Sequence, residues 1–322
     1  MSGNDKTKEK FKAVGCGFAG LDIVKYGASE TLLPGGTCAN VMSVLASLNW
    51  QTTIIKPEYS DVWNSYIDST WEGLGISVCN CLRSKLPTPR VIQEFIGHEH
   101  YFYTRCPKCE TPLLNIVLPT RESIKKGFVD FDCDILYYDR VSAGIRYLIE
   151  LCNLSNKWTF YEPNNARSYK TFVNNISECG IVKFSDKRIP SSASRKLLTD
   201  LKTTQAKTKI VIITHESLGV SYSIFRNGEY SKYETIYVKP LADVVDSSGA
   251  GDWLAAGFID DFVSKCPEVP EEVNEETVVS ALSWGQKQVE KCCSSVGAIG
   301  GLIGSKIQQT PPSDSKCQYC RI

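Results

Sequence analysis

Residues 246–258 read Asp-Ser-Ser-Gly-Ala-Gly-Asp-Trp-Leu-Ala-Ala-Gly-Phe. Gly249 and Gly251 permit a sharp backbone turn, and the small and apolar residues after them recur at helical spacing. The N–H groups of a first helical turn have no partner inside the helix, so this turn is suited to binding an anion. Asp252 lies at the same helix start, where its carboxylate can take a proton from a hydroxyl that attacks a phosphate. The run therefore indicates a site of phosphoryl transfer, although the same features also occur where they only stabilise a helix.

Outside this run, short apolar segments alternate with amphipathic ones. The predicted strands are 13–16, 52–55, 135–138, 158–161, 181–184 and 210–214. The predicted helices are 39–48, 143–154, 195–201 and 277–291. This alternation predicts an α/β fold in which helices cover both faces of a mostly parallel sheet, with ligands near the carboxyl ends of the strands.

Residues 89–105 break the alternation. Two segments with strand character, 91–96 and 101–104, flank Gly-His-Glu-His at 97–100, which predicts a β-hairpin. His98 and His100 could suggest a metal site. However, alternate residues of a hairpin tip with no third ligand nearby in the sequence are usually exposed to solvent.

The composition indicates what kind of partner the protein binds and in which cellular compartment we expect it. The 322 residues, 42% of them apolar, are enough for one large α/β domain or two modest ones. Lys plus Arg and Asp plus Glu each number 36, so we expect a small-molecule partner rather than nucleic acid or a membrane. The first apolar segment is too short and too rich in glycine for a signal peptide. Together with 14 cysteines spread over the predicted core, this predicts reduced thiols and a cytoplasmic location.

The run at 246–252 resembles the C-terminal signature of the ribokinase-like carbohydrate kinases, the PfkB family, which is Asp-Thr/Ser-x-Gly-Ala-Gly-Asp before a helix. Pro-Gly-Gly at 34–36, followed by Asn40, resembles the sugar-site motif Pro-Gly-Gly-x-x-x-Asn of the same family. Asp22 occupies the place of a family carboxylate that holds sugar hydroxyls. In isolation, a capped Gly-Gly turn and an ordinary turn aspartate would explain these residues equally well.

The resemblance implies a ribokinase-like three-layer α/β sandwich with a small β-sheet lid. It implies a single kinase domain over residues 1–322, with lid strands inserted around 20–34 and 89–105 and a C-terminal tail at 305–322. Such a lid closes over the sugar and excludes water from the transferred phosphate. A homodimer joined through the lid would also be compatible with the exposed pattern of the hairpin.

The activity implied is ATP-dependent phosphorylation of a hydroxyl on a sugar or sugar-like compound, with Mg²⁺. Asp252 would be the general base, and Asp246 would support the metal or the loop. The backbone of Gly249, Ala250 and Gly251 would stabilise the phosphoryl charge. The residues expected to hold the acceptor are Asp22, Gly35, Gly36 and Asn40.

Two other functions are left open. A nucleoside kinase would use the same fold and base, with aromatic side chains such as Phe18, Tyr101 or Phe102 stacking on the nucleobase. These aromatic residues could equally belong to the core or the lid. A catalytically weak sugar-binding regulator is the second alternative.

Glu-Pro-Asn-Asn-Ala-Arg at 162–167 resembles the strand-end Asp-Pro-Asn-x-Arg segment of the family. Arg167 would then pair with a phosphate or an acidic group of the substrate, or else it is a solvated residue at a helix start. Asp139 and Arg140, at the end of another strand, are similarly ambiguous.

The chain departs from the family on the nucleotide side. Residues 182–188 lie where the family usually has Asn-x-x-Glu, a motif tied to Mg²⁺ and phosphate, and here Arg188 replaces the acid. Either Asp186 or Glu162 compensates, or metal handling is weakened. Residues 214–219 only loosely follow the family's Thr-x-Gly-x-x-Gly nucleotide loop, which leaves the nucleotide preference open. The candidate cofactor-binding residues here, besides Asp246, are Lys183, Ser185 and Thr214.

Two cysteine pairs have the Cys-x-x-Cys spacing of zinc sites, Cys106 with Cys109 and Cys317 with Cys320. Together, four thiolates would make a closed, tetrahedral structural site. Random placement of 14 cysteines in 322 residues gives about 0.6 such pairs, so two pairs are a modest excess. Zinc would hold the tail to the base of the hairpin. The alternative is two unrelated thiol pairs.

Overall fold

The computed structural model describes residues 10–96, 99–128, 131–164, 168–188, 191–304, 317 and 319–321. The strands are β1 (Lys12–Cys16), β2 (Gly20–Tyr26), β3 (Ser29–Gly35), β4 (Gln51–Glu58), β5 (Ser77–Arg83), β6 (Arg90–Ile96), β7 (Glu99–Tyr103), β8 (Ile135–Tyr138), β9 (Trp158–Tyr161), β10 (Ile181–Ser185), β11 (Ile210–Thr214), β12 (Gly219–Arg226), β13 (Glu229–Tyr230) and β14 (Glu234–Tyr237). The helices are α1 (Thr37–Ser47), α2 (Val62–Gly73), α3 (Arg121–Gly127), α4 (Ala143–Leu154), α5 (Tyr169–Ile176), α6 (Ser191–Thr203), α7 (Ala250–Lys265), α8 (Glu275–Cys292) and α9 (Gly300–Ile303). Each strand and helix predicted from the sequence is confirmed, with bounds that shift by a few residues.

Local sequence signals explain where several helices begin. At these N-termini a side-chain oxygen accepts a hydrogen bond from a backbone N–H of the first turn, which otherwise has no partner. The capping residues are Thr120 before α3, Ser142 before α4, Ser168 before α5 and Asn274 before α8. The helix α7 lacks such a side-chain cap, since Gly249 precedes it.

The main sheet has the strand order β13-β12-β11-β10-β9-β8-β1-β4-β5, and β14 pairs with β12. From β5 to β11 neighbouring strands are parallel, and β12 is antiparallel to β11. The central strands β8 and β9 are buried along their whole length. Strands buried in this way occur where helices cover both faces of a parallel sheet.

Two hydrophobic cores separate the layers, because successive side chains of a strand point to opposite faces. Tyr137 of β8 packs on one face, in the core that contains residues of α1, α7 and α8. Tyr138 packs on the other face, with residues of α4, α5 and α6. The protein is therefore a three-layer α/β sandwich, as the sequence predicts.

A separate, smaller sheet has the order β3-β2-β6-β7. The strand β2 is antiparallel to β3 and parallel to β6. The antiparallel pairing of β6 with β7 confirms the predicted hairpin; Gly97 and His98 lie outside the described residues. His100 stacks on Phe95, with 4.0 Å between ring centroids, and also contacts Phe102. The small sheet leads directly into the main body, because β3 ends at Gly35 and α1 begins two residues later.

Within the described residues, none of the helices combines the length and apolarity needed to cross a bilayer.

Candidate active site

The turn before α7 has the conformation that its glycines require. Gly249 adopts the left-handed region at φ 80°, and a Cβ at this position would lie 2.4 Å from the Cβ of Ala298. The N–H of Ala250 donates to the carbonyl of Ser247 at 3.1 Å. In the described part of the chain, no backbone carbonyl accepts from the N–H groups of Gly251 or Asp252. The turn therefore presents these two donors, and we call residues 249–252 the anion cradle.

Asp246 braces this loop. One oxygen of its buried carboxylate accepts from the N–H of Ser248 and the other from the N–H of Gly297, each at 2.8 Å. The carboxylate thereby joins the start of the loop to the segment before α9. Of the two roles considered for Asp246, this geometry favours support of the loop over metal binding.

Asp252 forms a direct contact with a residue from the other motif. The side-chain amide of Asn40, in α1, donates to Oδ2 of Asp252 at 2.7 Å. Both side chains are buried. Burial, and then the negative charge of Glu162, raise the pKa of Asp252 well above its usual range. Oδ1 of Asn40 has no hydrogen-bond partner among the described residues, which leaves one buried acceptor beside the carboxylate.

A buried ion pair lies beside the anion cradle. Lys183, in β10, is 2% exposed, and its Nζ lies 2.5 Å from Oε1 of Glu162 at the end of β9. The hydroxyl of Tyr137 donates to the other oxygen of Glu162 at 2.9 Å. A Cβ built on Gly251 would lie 3.4 Å from Nζ of Lys183 and 3.8 Å from Oε1 of Glu162. The lysine thus brings a positive charge to the place where the cradle presents its N–H groups.

The structure separates the two acids that the sequence offered as replacements for the missing glutamate. Glu162 lies at the cradle. The side chain of Asp186 is instead 41% exposed, and its Oδ2 lies 2.8 Å from Nδ1 of His215. The other ring nitrogen of His215 forms a hydrogen bond with the hydroxyl of Ser221. Ser185 and Thr214 are paired neighbours at the carboxyl ends of β10 and β11.

The acceptor-side residues from the sequence also come together. A Cβ on Gly35 would lie 2.2 Å from Oδ2 of Asp22, and a Cβ on Gly36, at φ 100°, would lie 2.6 Å from the carbonyl oxygen of Phe18. These glycines allow Asp22 and the backbone at Phe18 to pack closely. The side chain of Gln93, in β6, lies next to Asp22 and acts to lower the pKa of its carboxyl. Oε1 of Gln93 has no hydrogen-bond partner in the described part of the chain.

One residue beside Asp22, Gln93, had no clear signal in the sequence, and the sequence left the role of Asp139 open. Gln93 could have been noticed only as a polar residue among the buried positions of an apolar strand. Asp139 accepts a hydrogen bond from the N–H of Phe18 at 2.8 Å, and a Cβ on Gly17 would lie 2.0 Å from its Oδ1. Asp139 therefore holds the turn between β1 and β2, while Arg140 lies 3.3 Å from it. Arg167 lies outside the described residues.

Asp22 predicts a specific pH dependence of stability. Burial, and then the negative charge of Asp246, raise the pKa of Asp22 to about 7, whereas an aspartate of the unfolded chain titrates at about 4. Between these values the folded protein keeps a proton that the unfolded chain releases, so the free energy of unfolding falls as pH rises through this window. Asp22→Asn removes the effect. From pH 5 to pH 8, we expect the variant to gain on the order of 2–4 kcal/mol relative to the unmodified protein. Urea unfolding at pH 5 and pH 8 measures the free energy of unfolding of both proteins. An equal difference between variant and unmodified protein at the two pH values would contradict the prediction.

The structure also brings together the four cysteines of the two Cys-x-x-Cys pairs. The Sγ atoms of Cys106, Cys109, Cys317 and Cys320 all lie within 4.8 Å of one another. Two unrelated thiol pairs, the alternative raised by the sequence, do not describe this arrangement. It is the only group of metal-ligand type found among the described residues.

Comparison with known proteins reveals similarity in structure rather than in sequence. No protein-family model and no curated protein sequence matches the chain. Ribokinase from Giardia lamblia is 15% identical, with a TM-score of 0.72 over 91% of this chain and 96% of that one. Fructokinase from Vibrio cholerae O395, in its form with fructose, ADP and calcium ion, is 16% identical, with a TM-score of 0.68 over 91% and 96%. Adenosine kinase from Schistosoma mansoni, in complex with 2-fluoroadenosine, is 14% identical, with a TM-score of 0.71 over 89% and 96%. The chain therefore has the ribokinase-like fold, as the sequence predicts.

Proposed function

We propose that this protein is an ATP-dependent kinase that phosphorylates a hydroxyl of a sugar or a nucleoside. The contact between Asn40 and Asp252 carries the proposal, since it joins the acceptor-side motif to the residue at the start of α7. Structural neighbours that bind fructose with ADP, or a nucleoside, support this class of acceptor. The coexistence of base, anion donors and a buried lysine argues against a merely sugar-binding regulator.

In the proposed reaction, Asp252 takes the proton of the acceptor hydroxyl as the hydroxyl oxygen attacks the terminal phosphorus of ATP. The new O–P bond forms as the bond to the β-phosphate oxygen breaks, and ADP leaves. A buried carboxylate with a raised pKa is a stronger base than an exposed one. The amide of Asn40 fixes its orientation through the 2.7 Å hydrogen bond.

Two groups of donors would stabilise the phosphoryl charge. The N–H groups of Gly251 and Asp252 are fixed by the helix start, and the ammonium of Lys183 lies beside them. Donors fixed before the reaction need no reorganisation when the charge develops. The N–H of Ala250 is already bonded, so we assign it a smaller role than the sequence implied.

The residues present fit a magnesium ion that arrives with the nucleotide. Mg²⁺ usually keeps several waters and takes few protein ligands. The carboxylate of Glu162, at the cradle, has lone pairs beyond those used by Lys183 and Tyr137 and would hold such waters. When bound, the ion would neutralise part of the phosphate charge. Ser185 and Thr214 remain candidates for contacts with the nucleotide.

Acceptor binding would use residues of the small sheet and of two helices, α1 and α7, of the main body. Asp22 and Gln93 belong to the small sheet, whereas Asn40 and Asp252 belong to the main body. The unpartnered Oδ1 of Asn40 and Oε1 of Gln93 are suited to accept hydrogen bonds from substrate hydroxyls. We therefore propose that the small sheet serves as the lid over the acceptor.

The test is ADP release from ATP and Mg²⁺ across pentoses, hexoses, sugar acids, sugar phosphates and nucleosides. We expect one acceptor class to give saturable turnover well above ATP hydrolysis without acceptor. Turnover with nucleosides alone would narrow the proposal to a nucleoside kinase. Absence of turnover, with one compound still raising the melting temperature, would replace the kinase by a sugar-binding regulator.

A homodimer joined through the small sheet is part of the proposal. The strand β7 is an edge strand of the small sheet, and four large aromatic or aliphatic side chains of the described part of this sheet are exposed, namely Tyr26 of β2, Ile96 of β6, and Tyr101 and Phe102 of β7. An edge strand with exposed apolar side chains favours pairing with a second copy. Sedimentation equilibrium over a range of protein concentrations tests this, and a monomer at all of them would exclude it.

A further inference from the structure

The two Cys-x-x-Cys turns share two backbone features, although they lie 211 residues apart. In the first, the N–H of Glu110 donates to the carbonyl of Cys106 at 2.9 Å, and in the second the N–H of Arg321 donates to that of Cys317 at 2.8 Å. Glu110 and Arg321, each directly after the second cysteine, both adopt the left-handed region at φ 58°. This conformation is uncommon for residues other than glycine. A repeated strained turn points to a shared task for the two pairs.

The distances between the sulfurs match a tetrahedral metal site. The Sγ atoms of Cys106 and Cys317 are 4.0 Å apart, and those of Cys109 and Cys320 are 3.7 Å apart. Four sulfurs about 2.3 Å from a central zinc ion lie at the corners of a tetrahedron with edges of about 3.8 Å. A disulfide would need about 2.05 Å between two of them. In addition, the N–H of Lys108 donates to Sγ of Cys106 at 3.4 Å.

We propose that Cys106, Cys109, Cys317 and Cys320 hold a structural zinc ion as four thiolates. Four protein ligands leave no open coordination position, so the site is closed and has no catalytic role. Zinc with four thiolates carries a net charge of about −2, and cations surround the second turn. Tyr319 lies in the sequence between Cys317 and Cys320. The ammonium of Lys25 is 4.3 Å from the centroid of its ring, and the ammonium of Lys108 is 5.5 Å from it.

Zinc here would fix the C-terminal segment across the small sheet. Tyr319 donates from its hydroxyl to Glu94 of β6 at 2.8 Å, and the guanidinium of Arg321 pairs with Glu30 of β3. The carbonyl of Arg321 accepts from the indole N–H of Trp63, in α2, at 2.9 Å. The four-cysteine cluster thus joins the loop after β7 to a segment that contacts β3, β6 and α2.

This placement relates the cluster to the acceptor side. Along β6, Gln93 and Glu94 point to opposite faces of the sheet. Gln93 lies next to Asp22, whereas the carboxylate of Glu94 accepts a hydrogen bond from the hydroxyl of Tyr319. The segment that zinc would hold therefore supports the face of β6 behind Gln93. Resting on the proposed function, we infer that loss of zinc weakens acceptor binding and leaves phosphoryl transfer itself less affected.

The direct test is metal analysis by mass spectrometry of tag-free full-length protein purified without added metal. We expect one zinc ion per chain, and less than about one tenth of this in Cys106→Ser and Cys320→Ser. Cys79→Ser, which changes a half-buried thiol of β5, is the matched control and should keep its zinc. Should the serine variants fail to fold, replacement of the bound metal by Co²⁺ in the unmodified protein should give the visible bands of a tetrahedral thiolate site. Absence of metal, bound iron instead of zinc, or disulfides in the freshly purified protein would each overturn the proposal.

A second arm separates the zinc site from the kinase proposal. Removal of zinc by a chelator should lower the melting temperature by at least about 5 °C, whether or not any acceptor is turned over. If an acceptor is found, the zinc-free protein should show a KM for it raised several-fold and a kcat within about two-fold. An unchanged KM would contradict the supporting role toward the acceptor, while failure to find any acceptor would bear only on the kinase proposal.

Discussion

Replacement of Asp252 by Asn is expected to lower kcat for the best acceptor by about 10³-fold, within the range that general bases contribute. The amide cannot take the proton of the acceptor hydroxyl. Its oxygen can still accept the hydrogen bond from Asn40, so the geometry of the cradle and the KM for the acceptor should change little. Because burial disfavours the charged form of Asp252, a neutral amide in its place should not lower the melting temperature. Steady-state ADP release and thermal unfolding measure the two effects.

Asp261→Asn is the matched control, since Asp261 lies on the same helix but pairs with Lys265 near its far end. It should keep kcat within about two-fold, because this partly buried pair lies toward the end of α7 opposite the anion cradle. A variant at Asp252 that retained more than a tenth of kcat would remove this residue from the role of base. A loss expressed mainly in KM would make it a binding residue instead.

Lys183→Met is expected to have the largest effect on stability. It leaves Glu162 as an unpaired, largely buried charge, and breaking such a pair costs about 3–5 kcal/mol. It also removes the positive charge beside Gly251, so we expect kcat to fall by at least about 10²-fold. The double variant Lys183→Met with Glu162→Gln has no unpaired charge. It should recover most of the stability and none of the activity, as measured by urea unfolding and ADP release.

Lys202→Met provides the comparison, because Lys202 forms an exposed ion pair with Glu229 on the surface. Its cost should be below about 1 kcal/mol, with no change in turnover. If the double variant at 183 and 162 regained activity together with stability, the pair would be structural and the phosphate charge would be stabilised elsewhere. If Lys183→Met cost no more than Lys202→Met, the pair would be far better solvated than its burial indicates.

Much of the fold follows from periodicity. The strands β8, β9 and β11 are continuous apolar runs between polar segments, and such runs are buried wherever they fall in a parallel sheet. The start of α7 was equally predictable, since glycines before a small-residue helix require a tight turn. The resemblance to a family pattern singled out both Asn40 and Asp252, which the structure joins by a hydrogen bond.

Contacts between strand ends were not predictable, because they depend on the order of the strands. From the sequence, Glu162 and Asp186 were equal candidates to replace the missing glutamate. Only the sheet order, in which β9 and β10 are neighbours, brings Glu162 to Lys183, while Asp186 turns toward His215 after β11. Likewise, the sequence shows the spacing within each cysteine pair. It does not show that Cys106 approaches Cys317, because that contact depends on the tertiary structure.

The contact between Asn40 and Asp252 spans 212 residues of sequence. We expect a contact of such separation to form late in folding, because the entropy of closing a long loop must be lost before the contact contributes. The cradle should then reach its final geometry only after most of the main sheet has formed. A refolding chain can therefore regain the spectroscopic signals of its helices and strands before Asn40 and Asp252 meet. Recovery of turnover is then a stricter measure of complete folding than recovery of secondary structure.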